Sequence, residues 1–189
     1  YDEENHIYHQ TYTNLSGEMP ELSEQGDDTI YSGTGEDWIS GHGGDDFVDA
    51  GTGNDVVFGD AGDDTIFGKD GDDNLSGDTK DLSFGDYGND FVDGGAGNDR
   101  IFGGEKDDIL FGGTGNDVMG GDNSNAETNG SDYLDGGEGN DELRGFGKDD
   151  ILLGGAGDDL ISGDDAAVAP AETDGNDYLD GGAGNDELQ

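Results

Sequence analysis

The 189 residues carry 49 acidic side chains against six Lys and Arg, a formal net charge of -43, with 40 glycines and no cysteine. This balance excludes a disulfide framework and a thiolate metal site, and it disfavours nucleic acid and anionic membrane surfaces, whose charge has the same sign. Only 29% of the residues are hydrophobic and no apolar run is long enough to span a bilayer.

Like charges dominate the expected behaviour of the free chain. Two carboxylates about 5 Å apart repel by roughly 1 to 3 kcal/mol, and such pairs recur throughout. The chain is therefore expected to be disordered until a multivalent cation is supplied.

Residues 1–22 form a segment apart, read as a cap or as the tail of an upstream domain. The run His6 to Tyr12 alternates in a way that suits a strand over the first coil. His6 and His9 could suggest a metal pair, but no third ligand stands at useful spacing, so a polar strand is the better reading. The opening YDEENHIYHQ has neither a basic nor an apolar region, so it does not read as a cleavable secretion signal.

From Ser23 onward the period is nine residues. Each unit reads G-G-x-G-x-D-x-U-x, as in GGAGNDRIF from Gly94 to Phe102, and sixteen copies begin at Ser23, Ser32, Gly41, Ala50, Gly59, Gly68, Gly85, Gly94, Gly103, Gly112, Glu127, Gly136, Gly145, Gly154, Glu172 and Gly181. The sixth position is Asp in every copy, and the eighth is apolar in every copy: Ile30, Ile39, Val48, Val57, Ile66, Leu75, Val92, Ile101, Leu110, Met119, Leu134, Leu143, Leu152, Ile161, Leu179 and Leu188. The alternation predicts a short strand, x-U-x, with U inward and its neighbours outward. Glycines at the turn positions allow positive φ and leave backbone carbonyls uncovered.

Three insertions break the run, at 77–84, 121–126 and 163–171, after the sixth, tenth and fourteenth copies. If two copies make one coil, each insertion follows a whole number of coils, so all three should leave from the same edge of the stack. A longer period is also visible: Lys106 and Lys148 hold the same repeat position, and GNDFVDGGAGND, GSDYLDGGEGND and GNDYLDGGAGND follow the three insertions.

This nonapeptide resembles that of the RTX, or haemolysin-type calcium-binding, repeat proteins. The resemblance covers residues 23–189 apart from the insertions and implies an all-β, right-handed parallel β-roll, with two repeats per coil and Ca2+ between the turns of stacked coils. Each ion is then held by the Asp of two neighbouring turns and by carbonyls of their first four positions. Carried onto this chain, one ladder is Asp37, Asp55, Asp73, Asp99, Asp117, Asp141, Asp159 and Asp186, and the other Asp28, Asp46, Asp64, Asp90, Asp108, Asp132, Asp150 and Asp177. The implied carbonyls are those of Gly33, Gly35, Gly41, Gly43, Gly51, Gly53, Gly59, Ala61, Gly68, Asp70, Gly94, Ala96, Gly112, Thr114, Gly136, Glu138, Gly154 and Ala156.

Oxygen-rich turns suit calcium, which takes six to eight oxygens in a flexible shell; magnesium dehydrates reluctantly and zinc lacks its preferred ligands. Eight turns on each of two edges leave at most about fourteen gaps. Fewer ions are expected on the second ladder, because the insertions enter there, Lys106 and Lys148 replace its fourth-position Gly, and Thr128 and Thr173 its second.

The outward face of the odd-numbered copies carries Tyr31, Phe47, Phe67, Phe91, Ile109, Phe111, Tyr133, Ile151, Leu153 and Tyr178. The other face is more polar, with Asn74, Arg100, Glu142 and Glu187 among Trp38, Phe58 and Phe102. A contiguous apolar stripe suggests packing on a flanking domain, another roll or a surface ligand such as carbohydrate. No catalytic site is expected, since His6, His9 and His42 lie far apart or in a turn and no nucleophile with a matched base can be assembled. His42 reads as a replacement of a turn glycine.

The expected function is that of a calcium-binding structural module of a secreted or surface protein, folding outside the cell after type I secretion. Alternatives are an accessory module of a secreted enzyme or toxin, or a segment of a large adhesin or surface-layer protein. The chain stops at Gln189 directly after a repeat, where the resemblance would place a C-terminal secretion signal further on, so a piece of a longer protein is expected.

Overall fold

A computed structural model describes residues 6–9, 26–79, 87–122, 129–164 and 175–189. Its strands, in chain order, are β1 (His6–His9), β2 (Asp28–Tyr31), β3 (Trp38–Gly43), β4 (Phe47–Thr52), β5 (Val56–Ala61), β6 (Thr65–Asp70), β7 (Asn74–Asp78), β8 (Phe91–Ala96) and β9 (Arg100–Gly104). They continue as β10 (Ile109–Thr114), β11 (Val118–Asp122), β12 (Tyr133–Glu138), β13 (Glu142–Phe146), β14 (Ile151–Ala156), β15 (Leu160–Asp164), β16 (Tyr178–Asp180) and β17 (Glu187–Leu188). Most run five or six residues, longer than the x-U-x core, because positions one to three also pair across the sheet, as Gly113 does with Gly137. Positions four to six alone make the bend.

Even-numbered strands and β1 form one parallel sheet, in the order β1-β2-β4-β6-β8-β10-β12-β14-β16, and the remaining odd-numbered strands form the other, from β3 to β17. Chain neighbours thus lie in opposite sheets, and each pair of repeats makes one coil of a parallel β-roll. The N-terminal strand joins the first sheet, with His6 opposite Asp28; no helix occurs among the described residues.

Register follows the apolar eighth position. Ile66, Val92, Leu110, Leu134 and Leu152 align strand to strand in one sheet, and Val57, Leu75, Ile101, Met119, Leu143 and Ile161 in the other. A one-residue slip would turn every one of these side chains to solvent, which is why the register is fixed. The two rows form a core one residue thick on each side, fully buried from Val48 to Ile161. Only its ends are open: Ile30 and Leu179 are partly buried and Leu188 is exposed.

The outer face of the first sheet is more ordered than the expected stripe. Tyr31, Phe47, Phe67, Phe91, Phe111 and Tyr133 form a zigzag, each ring 5.7 to 5.9 Å from the next and tilted against it. It alternates between the residues just after and just before U, so each contact is the diagonal one between neighbouring strands.

All three insertions leave from the sheet of β7, β11 and β15 and return to the sheet of β8, β12 and β16, hence on one edge, as counting required. Their starting points differ from the expected ones. Gly77-Asp78, Gly121-Asp122 and Gly163-Asp164 complete their strands, with Asp78 in register with Asp60, Asp122 with Gly104 and Asp164 with Phe146. The extra residues therefore begin two positions later, between the second and third positions of the turn. Most of each insertion, with Thr128 and Thr173, lies outside the described residues. Because Asp122 and Asp164 hold the second position, those threonines do not replace the second Gly.

Candidate metal-binding turns

Each bend is organised by its sixth-position Asp. The backbone N–H of that Asp donates to Oδ1 of the Asp one coil further on, which turns sixteen separate residues into two continuous ladders. On the uninterrupted edge the steps run Asp37 to Asp55, Asp73, Asp99, Asp117, Asp141, Asp159 and Asp186 at 2.8 to 3.1 Å. On the other they run Asp28 to Asp46, Asp64, Asp90, Asp108, Asp132, Asp150 and Asp177 at 2.7 to 3.0 Å. Across the insertions the sequence separation of this step grows from 18 to 26, 24 and 27 without change in its geometry.

The second carboxylate oxygen is the chemically informative one. Oδ2 of Asp46, Asp55, Asp64, Asp73, Asp90, Asp99, Asp108, Asp117, Asp132, Asp141, Asp150 and Asp159 is buried without a hydrogen-bond partner, as are both oxygens of Asp37. A Cβ placed on Gly41 would stand 2.1 Å from Asp46 Oδ2 and 2.6 Å from the carbonyl oxygen of Gly59 in the next coil. The same pairing recurs at Gly94, with Asp99 Oδ2 and the Gly112 carbonyl, and at Gly136, with Asp141 Oδ2 and the Gly154 carbonyl. Carboxylate and carbonyl oxygens thus converge in a cradle that only glycine leaves open. Oxygens brought together out of water with no donor between them call for a cation.

Among the described residues no group of three or more His, Cys, Asp or Glu side chains is arranged to hold a metal ion. Side chains alone therefore do not enclose an ion, and backbone carbonyls must supply much of any shell. The first-position carbonyls Gly59, Gly94, Gly112, Gly136 and Gly154 face the cradle. The third-position carbonyls Ala61, Asp70, Ala96, Thr114, Glu138 and Ala156 each accept the fourth-position N–H of the preceding coil. From the second Asp on each edge onward Oδ1 also accepts a ladder N–H, a bond that leaves it a further lone pair.

Electrostatics carry the same message. Burial pushes the carboxyl of Asp108 up to about 10, Asp64 to about 9, Asp90 and Asp150 to about 8, and Asp46 and Asp132 to about 7. On the uninterrupted edge the rise is smaller, to about 7 for Asp99 and about 6 for Asp55 and Asp141. Burial is the largest cause in each case, and neighbouring carboxylates add to it, while the accepted N–H works in the opposite direction.

A second ladder was not anticipated. Fifth-position side chains accept the backbone N–H of their counterpart one coil later, the reverse direction, as in Asn98 to Asp72, Asn116 to Asn98 and Asn140 to Asn116. The signal was in the sequence, since the fifth position is Asp or Asn in nearly every copy. Asp72 and Asp158 are fully exposed, and hydrogen bonds from Asn98 and Asn185 hold their carboxyls below the usual range.

Departures from glycine sit where they strain the backbone. Lys106 and Lys148 adopt φ of 73° and 72°, and His42, Asp60, Lys69 and Phe146 are likewise left-handed, at 75° to 86°. His42 lies in an exposed turn, its N–H donating to Asp60 Oδ2 at 3.2 Å and its Nδ1 3.5 Å from Ser40 Oγ. Ser40 Oγ itself donates to Asp60, so its proton is not directed at the imidazole.

A protein-family model described as the RTX calcium-binding nonapeptide repeat, four copies, matches residues 23–57, 49–79, 84–119, 128–161, 144–167 and 173–189. No curated protein matches the chain.

Proposed function

The chain belongs to the RTX calcium-binding nonapeptide-repeat family, and on that premise we propose that it is the calcium-dependent structural module of a secreted or cell-surface protein, folding once it meets extracellular calcium. The observation that carries this reading is the row of buried Asp Oδ2 atoms without a donor. Bound calcium would supply the positive charge that these oxygens lack. The carboxylates of Asp55, Asp73, Asp99, Asp117, Asp141 and Asp159 would hold it on the uninterrupted edge, together with first-position carbonyls such as those of Gly112 and Gly136.

The chain's own residues set the coupling to folding. A carboxylate row at this spacing is repulsive, and the hydrophobic core beneath it is only one residue deep on each side. Ordering the turns and neutralising them are therefore one event. The calcium concentrations that drive it are those of extracellular sites, 0.1 mM or above, which suits a protein kept unfolded inside the cell. Circular dichroism tests this: a coil spectrum in chelator and a β spectrum in millimolar calcium are expected, and a folded chain in chelator overturns it.

The zigzag of rings from Tyr31 to Tyr133 favours a docking role for the outer face of the first sheet, against a flanking domain, another roll or a surface ligand. This arrangement suits a scaffold or adhesin segment. An accessory module of a secreted enzyme or toxin would use the same fold with a catalytic domain elsewhere in the parent protein.

A further inference from the structure

The interrupted edge has a period of its own. Turns that carry an insertion, at Asp90, Asp132 and Asp177, alternate with turns whose fourth residue is lysine, at Asp108 and Asp150. The insertion turns also carry Asp at the second position, as Asp78, Asp122 and Asp164. An insertion turn and a lysine turn thus adjoin across four gaps, and in two of them, between Asp90 and Asp108 and between Asp132 and Asp150, the insertion turn comes first.

In the first of these gaps the contacts are explicit. Asp78 is buried, and its carboxylate spans the gap: Oδ1 accepts the N–H of Gly88 in its own turn at 3.2 Å, and Oδ2 accepts the N–H of Glu105 in the next turn at 3.0 Å. Gly104 makes room for it, since a Cβ there would stand 2.4 Å from that of Asp78. Lys106 crosses in the other direction, its ammonium donating to the carbonyl of Tyr87 in the insertion turn. In ordinary turns the third-position carbonyl accepts the fourth-position N–H of the coil before, as Ala61 does from Gly44. Around the insertion, Asp78 takes up the fourth-position N–H of Gly88 and an ammonium takes up the third-position carbonyl of Tyr87.

The second gap repeats only part of this pattern. Asp122 is buried and its Oδ1 accepts the N–H of Gly130 at 2.9 Å, but its Oδ2 is buried without a partner.

We propose that in the first of these gaps, between the turns of Asp90 and Asp108, the protein supplies its own charges, those of Asp78 and Lys106, in place of a calcium ion. An inward N–H and an ammonium both repel a divalent cation, while the added carboxylate gives the ammonium a counter-charge. The buried Oδ2 of Asp90 has no hydrogen-bond partner there, and the Lys106 ammonium, rather than an ion, is the positive charge that answers it. The first insertion leaves the roll at a position that the chain itself staples, so these two turns hold together without calcium between them. The inference rests on the calcium reading of the other turns and deepens it by assigning a gap that takes no ion.

Calcium stoichiometry tests it, measured on the whole chain by equilibrium dialysis with elemental analysis. Lys106→Gly restores the residue found at the fourth position elsewhere and removes the strained φ, so folding is retained, and it should add one ion per chain. Lys106→Arg keeps the charge and should bind as the natural sequence does. An unchanged count in the glycine variant, or a gain in the arginine variant, overturns the proposal alone. A natural chain that binds no calcium at all overturns the calcium reading and this proposal with it.

Discussion

The backbone N–H of Asp90 donates to Oδ1 of Asp108 at 2.8 Å, while Oδ2 of Asp108 is buried without a partner. One residue thus ties two coils together with one oxygen and presents the other to the gap. Repeated along both edges, this division of labour makes the turns at once the scaffold and the binding site.

Removing one member should uncouple both roles locally. Asp117→Ala leaves the N–H of Asp99 without its acceptor, at a cost of about 1 to 3 kcal/mol for the unsatisfied donor. It also deletes a carboxylate from the gaps on either side. Thermal unfolding in millimolar calcium should show a lower midpoint and a calcium count reduced by one or two. An unchanged midpoint would contradict the ladder as described.

Acidity should substitute in part for metal. A carboxyl that binds its proton more tightly folded than unfolded favours the folded state most fully below its unfolded value near 3.8, and that contribution is lost as pH rises through the folded value. Here the folded values run from about 6 at Asp55 and Asp141 to about 10 at Asp108. In chelator, β structure should therefore increase as pH falls from 9 to 4, read by circular dichroism. In calcium the same protons compete, so the midpoint calcium concentration should rise as pH falls. Loss of structure on acidification in chelator would refute this.

The shallow core has no redundancy. Leu110 is fully buried between Val92 and Leu134 in register on either side, and Leu110→Ala should cost about 2 to 5 kcal/mol. Equilibrium unfolding in calcium measures it. Leu188→Ala, at the exposed end of the row, should cost far less, and equal losses would refute the gradient from centre to end.

The ring zigzag separates stability from docking. Phe91→Ser breaks two ring contacts, to Phe67 and Phe111, and Tyr133→Ser breaks one, to Phe111. Each aromatic pair is worth about 0.5 to 1.5 kcal/mol beyond its buried area, so Phe91→Ser should be the more destabilising. Both should weaken association through this face, measured by sedimentation of the calcium-loaded chain. Unimpaired association in both variants removes the docking role.

Much of this was legible in the chain because the repeat is a register mark. Asp at every sixth position and an apolar residue at every eighth fix which way each side chain faces, and counting copies between insertions fixes the edge from which they leave. The starting points of the insertions were misread by two residues because Gly77-Asp78 resembles loop sequence, yet its hydrogen bonds are made to coils distant in sequence. The ladder bonds were hidden for the same reason: the donor to Asp108 is 18 residues away, and nothing local to Asp108 announces it.

The amino-acid order by itself thus settled the period, the inward row, the sixteen acidic turn residues and the kind of cation they suit, since each follows from residue type at fixed spacing. Stacking decided the remainder. Only when coils lie one strand spacing apart, about 4.8 Å, does one carboxylate oxygen meet the N–H of the coil below and leave the other beside a carbonyl. Only then does Lys106 come to face Asp78, across 28 residues of chain and one narrow gap.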